Sequence, residues 1–73
     1  MVLSEAQEGK KVKVVSIKAG RKLKSRLEGL GIIPGSTMRV IKNSWGPVLV
    51  EVLGRKIAIG RGQAQKIEVQ QVD

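Results

Sequence analysis

Residues 1–73 are expected to form one mainly-β domain: a small, strongly bent antiparallel barrel of about five strands, with one short α-helix after the first strand. β-Branched residues recur in short runs, many of them alternating with polar ones, as in strands with one buried face. Gly and Pro interrupt those runs too often for a layered α/β arrangement. The chain is also one domain long. At this size folding buries only roughly 60% of the surface that the unfolded chain exposes. With no cysteine, neither a disulfide nor a thiolate-bound zinc can staple the core. The core must therefore be aliphatic: hydrophobic residues make up 41% of the chain, with one Trp and no Phe or Tyr.

The first strand is read from Val12, Val14, Val15 and Ile17, set among Lys and Ser. Its apolar residues fall on both parities, which calls for a bulge or for cover on both faces. Ala19-Gly20 ends it. Arg21 to Leu30 is the one convincing helix, because Leu23, Leu27 and Leu30 recur at i, i+4 and i+7 and share a face expected to lie in the core. Gly31 follows as a residue free to take the left-handed conformation that ends helices. Ile33 precedes Pro34 and is held extended, and Pro34-Gly35 supplies the central pair of a type II turn. A second strand runs from Thr37 to Asn43, with Met38 and Val40 on one side and Arg39 on the other. Ser44-Trp45-Gly46-Pro47 is a loop, and Val48, Val50 and Val52 form one face of the third strand. Gly54-Arg55 is read as a two-residue hairpin turn with Gly first. Lys56 to Ile59 follows, burying Ile57 and Ile59. Gly60-Arg61-Gly62 breaks it, Gln63 to Gln65 is read as one helical turn, and Lys66 to Val69 is the last strand. A barrel of the SH3-like or OB kind removes most strand edges. The strand–helix–strand start followed by hairpins favours the SH3-like form.

The net charge is +8, and its distribution says more than its size. From Lys10 to Arg26 there are eight bases (Lys10, Lys11, Lys13, Lys18, Arg21, Lys22, Lys24 and Arg26) and no acid, while the other six bases are matched by the six acids. So concentrated an excess steers acidic partners, whether nucleic acid, an anionic membrane surface or an acidic protein; a merely solubilising face is the alternative. Arg21, Lys22 and Lys24 crowd the first helical turn, where the macrodipole costs each exposed cation ~0.3–1 kcal/mol. An anion bound there would offset that cost, and solvent screening is the simpler account. No apolar stretch reaches the ~18 residues of a membrane span, and no signal peptide is visible, so a soluble cytoplasmic protein is expected.

Without His, Cys or Tyr the usual general bases near neutral pH are missing, the serines have no base to activate them, and the acids are scattered. No enzymatic activity and no cofactor are expected. Trp45 is the sharpest single candidate. Its ring either folds back as a lid over one barrel mouth or forms an interface hot spot, a role in which Trp is enriched. A lone aromatic does not make the groove that proline-rich peptides require.

With the turns placed, the chain resembles the FeoA family, ferrous iron transport protein A. The likeness runs from Leu3-Ser4-Glu5 through Glu8-Gly9-Lys10 and is strongest at Arg26-Leu27-Glu28-Gly29-Leu30-Gly31-Ile32-Ile33-Pro34-Gly35. That segment matches the family's Arg-Leu-x-x-Leu-Gly-[Ile/Leu/Met]-x-Pro-Gly element. The likeness continues at Gly46-Pro47, Gly54, Ala58, Arg61, Ala64, Ile67 and Val69. Two features depart from it: Gly60 and Gly62 flank Arg61 where relatives more often carry helix-favouring or charged residues, and the Lys10–Arg26 charge is heavy. The resemblance implies an SH3-like barrel and a cytoplasmic accessory role in bacterial ferrous iron uptake. The implied partner is the membrane transporter FeoB, which carries a cytoplasmic GTP-binding domain. A related domain forms the C-terminal part of iron-dependent repressors. Direct iron binding is not expected, because only isolated carboxylates are present in a strongly positive chain.

The expected function is thus regulation of a ferrous iron transporter through protein contact. Trp45, Lys18, Arg21, Lys22, Lys24 and Arg26 are the candidate contact residues, near the membrane's anionic inner leaflet. A nucleic-acid-binding barrel is the alternative favoured by charge and opposed by the lack of stacking aromatics. Weak self-association through a free strand edge is a third.

Overall fold

A computed structural model describes residues 1–73, and the aliphatic runs become five strands. These are β1 (Lys11–Ile17), β2 (Thr37–Lys42), β3 (Val48–Val52), β4 (Arg55–Ile59) and β5 (Ile67–Gln71). They make one antiparallel sheet in the order β4-β3-β2-β1-β5. The helix α1 (Arg21–Gly29) joins β1 to β2, the short α2 (Arg61–Ala64) joins β4 to β5, and a 3₁₀ turn at Leu3–Glu5 precedes β1. The sheet bends round a core of 16 buried side chains, every one apolar and none aromatic. β4 and β5 are the two sheet edges and are not hydrogen-bonded to each other, so the barrel is open along that seam. Leu3 and Ala6, from the segment before β1, are part of the core, and Val2 forms an isolated bridge to Glu68 of β5.

A bulge resolves the double parity of β1. Val14 pairs with Val69 and Ser16 with Glu68, which leaves Val15 as the extra residue. The shift turns Val12, Val14 and Ile17 inward and leaves Val15 half exposed. A second irregularity lies between Val40 and Lys42 of β2.

α1 ends in a Schellman motif: Ile32 N–H donates to Leu27 O at 2.9 Å and Gly31 N–H to Glu28 O at 3.0 Å, with Gly31 at φ +87°. The motif turns Ile32 straight into the core, where Leu27 is buried as well. Of the helix leucines only Leu27 is fully buried; Leu23 and Leu30 pack against the core from its margin, because a nine-residue helix lying over an open barrel end buries one narrow stripe. The Pro34-Gly35 turn forms as expected, with Ser36 N–H donating to Ile33 O at 3.0 Å and Gly35 at φ +96°.

The structure corrects two local expectations. The β3–β4 hairpin turns at Leu53-Gly54, not at Gly54-Arg55, and both residues have positive φ (53° and 76°), as a type I′ turn requires. This register sets the buried Ile59 opposite the buried Val48; Ile57, expected to be buried too, faces Val50 and is only partly covered, because β4 is a sheet edge. Core pairing therefore outweighs the local preference that would keep Leu out of the left-handed region. The last helical turn also begins earlier, at Arg61 in place of Gln63, and Ala64 is the residue it buries.

Candidate interaction surface

Antiparallel pairing sorts the candidate residues to two ends of the sheet. β1 enters α1 at the end where β2 begins, whereas the loop from β2 to β3 lies at the other end.

At the α1 end, Lys18, Arg21, Lys22, Lys24 and Arg26 are all exposed. The chain has two ion pairs, Met1 ammonium with Glu68 at 2.9 Å and Arg39 with Asp73 at 3.8 Å, and neither uses a side chain from Lys10–Arg26. The Met1 ammonium donates a hydrogen bond to the Glu68 carboxylate and so lowers its pKa below the ordinary value. The Coulombic pull of that ammonium and of Lys18 adds to the effect, and partial desolvation opposes it. The helix separates the basic residues. Arg21, Lys24, Ser25 and Glu28 follow i, i+3, i+4, i+7 spacing and share one stripe. They line an open groove of ≈ 550 Å³ whose apolar side is Ile17, Ala19, Ile32, Ile33 and Pro34. Lys22 and Arg26 are not among its lining residues. Gly20 provides no side-chain cap to the helix start. The groove was not anticipated from the sequence, although Ile33-Pro34 immediately after the helix was its trace.

At the opposite end stands Trp45. It is 90% exposed, so its ring does not fold back over the barrel mouth. The loop carrying it is tied down by two residues that the sequence reading had not singled out as functional. Arg61 Nε donates to Gly46 O at 3.1 Å and Nη2 to Ser44 O at 3.2 Å, holding the carbonyls on both sides of Trp45. The same guanidinium reaches Ser4 O at 3.3 Å and Asn43 Oδ1 at 2.8 Å. Asn43 in turn donates from Nδ2 to Ser4 O at 3.0 Å and Ala6 O at 2.7 Å, while its backbone N–H donates to Glu8 Oε2 at 2.6 Å. Arginine offers five donors in a rigid fork, which suits it to bracketing several carbonyls at once. The isolated Arg between two glycines was the available signal.

No buried polar side chain lies in the core, and no cluster of three or more His, Cys, Asp or Glu is placed to hold a metal ion. No helix is long and apolar enough to cross a membrane.

An aliphatic five-stranded barrel with its functional candidates on the outside defines a small β module of the SH3-like class. The comparisons agree and place it further. Residues 1–71 match the FeoA domain, and the chain belongs to that family. A Methanocaldococcus jannaschii protein, provisionally named Fe(2+) transport protein A, is 45% identical over 71 residues, covering 97% of this chain and 87% of the relative. The crystal structure of an iron uptake regulatory protein, FeoA, superposes with a TM-score of 0.89 at 36% identity, covering 99% of this chain and 96% of the other. A zinc-complexed FeoA of Stenotrophomonas maltophilia superposes with a TM-score of 0.83 at 26% identity, covering 96% and 89%. That protein is described as a prokaryotic SH3 domain protein and suggested there to act as a ferrous iron transport activating factor.

Proposed function

We propose that this chain is a non-catalytic, cytoplasmic accessory protein of ferrous iron uptake that regulates the membrane transporter FeoB by docking on its cytoplasmic part. Family membership supports the iron transport setting. The observation that carries docking is the largely uncompensated cationic surface: none of the eight bases from Lys10 to Arg26 forms a side-chain ion pair in the chain. At α1 two of these cations, Arg21 and Lys24, line a groove whose other side is apolar, a combination suited to an acidic protein surface. A non-catalytic role agrees with the absence of His, Cys and Tyr. The anionic inner leaflet beside the transporter would add to the attraction.

The test is an NMR titration of the labelled chain with the cytoplasmic GTP-binding domain of its cognate transporter at physiological salt. Localised shifts in α1, the groove or the β2–β3 loop are expected. A spectrum without change rejects docking on that domain. The same charge favours nucleic acid as a second reading, so a short RNA duplex is titrated in parallel. Under the second reading RNA binds tightly at low salt and its affinity falls steeply as salt rises, whereas a specific protein contact survives physiological salt better; no RNA binding at low salt rejects the second reading.

A further inference from the structure

Trp45 and the charge-rich helix lie at opposite ends of the strands, so the Trp45 loop needs its own explanation. We propose that Trp45 is a preformed docking knob that inserts into an apolar pocket on a protein partner, and that Arg61 and Asn43 are the positioning residues that hold it ready. The proposal rests on the docking reading above and assigns it a specific contact.

An indole left 90% in water contributes nothing to the core. Flexible loops lose much of their binding energy to ordering; a loop already fixed does not. Here Arg61 brackets the Ser44 and Gly46 carbonyls, and Asn43 ties the base of the loop to Ser4, Ala6 and Glu8. Residues 44–47 carry no charge, so insertion would desolvate no ion. The charge at this end favours a protein over a lipid surface as the occupant. Glu5 and Glu8 there offset most of the charge of Lys10, Lys42 and Arg61, so the loop lacks the concentrated positive field that α1 carries and that docking on an anionic leaflet needs.

Isothermal titration calorimetry of the full chain with the transporter's cytoplasmic domain, read alongside Trp45 emission, tests this. Binding with a blue-shifted emission is expected, and Trp45→Ala should weaken affinity about 30-fold or more, the range of a hot spot. Trp45→Phe should recover part of it. Arg61→Gln, measured at a temperature where its NMR spectrum shows a folded chain, should weaken affinity at least ~5-fold. A residue that only stabilised the fold would lower the melting temperature and leave the affinity of the folded chain unchanged. Binding with unshifted emission and unchanged affinity of Trp45→Ala overturns this proposal alone. No binding overturns it together with docking on that domain. Equal blue shifts with anionic lipid vesicles and no heat with the domain would assign the knob to lipid and also overturn it.

Discussion

Replacing Gly31 by Ala separates two costs that meet at one atom. Gly31 sits at φ +87°, and a Cβ built there would lie 2.5 Å from Leu53 Cδ1 and 3.4 Å from Leu53 Cγ. A left-handed non-glycine residue costs roughly 1–2 kcal/mol. The backbone cannot escape that cost by moving to the right-handed region. Doing so would break the bonds from Gly31 and Ile32 to Glu28 and Leu27 and pull the fully buried Ile32 from the core. The clash is softer, because Leu53 is 76% exposed and its terminal methyl is free to rotate away. The backbone should dominate, with a loss of about 1–2 kcal/mol and a melting temperature lower by ~4–8 °C per kcal/mol for a domain of this size. Urea and thermal unfolding followed by far-UV circular dichroism measure it. The double variant Gly31→Ala with Leu53→Ala decides the cause, since Leu53→Ala alone should change stability by no more than about 0.5 kcal/mol. The double variant should remain as unstable as Gly31→Ala. Recovery of most of the lost stability would refute this reasoning and make the clash the dominant cost.

Leu53→Asn should stabilise the chain by up to about 1 kcal/mol, because it gives the type I′ turn its preferred Asn-Gly pair; a raised urea midpoint is the readout. Leu27→Ala should cost ~2–5 kcal/mol, enough to unfold much of so small a domain, and Leu27→Asp should unfold it entirely, as amide dispersion in NMR would show. The lowered Glu68 pKa predicts a stability contribution present above the unfolded carboxylate value and lost as pH falls through the folded one. The stability difference between the parent and Glu68→Gln should therefore shrink on acidification, and an NMR titration should find Glu68 below an ordinary glutamate.

What could be read in advance depended on range. Val12 and Val14, Met38 and Val40, and Val48, Val50 and Val52 announced their strands, because alternation and burial are written in neighbouring residues. Leu27-Gly31-Ile32 and Pro34-Gly35 were equally plain, since helix ends and tight turns follow local backbone chemistry. The β3–β4 turn was misplaced by one residue because the choice belongs to Ile59 facing Val48 across the sheet, a pairing that no local preference reveals. The Trp45 bracket escaped for the same reason: Arg61 is 17 positions from Ser44 and 57 from Ser4. Exposure of Trp45 was one of two open alternatives, and only the geometry of that bracket distinguishes them.

The aliphatic core has a spectroscopic consequence. Its sole chromophore of consequence is an indole already in water, so unfolding moves that ring from one aqueous setting to another. Intrinsic fluorescence should barely register denaturation. The same isolation gives the emission a single meaning: a change of colour reports what touches the loop, with no background from a melting interior.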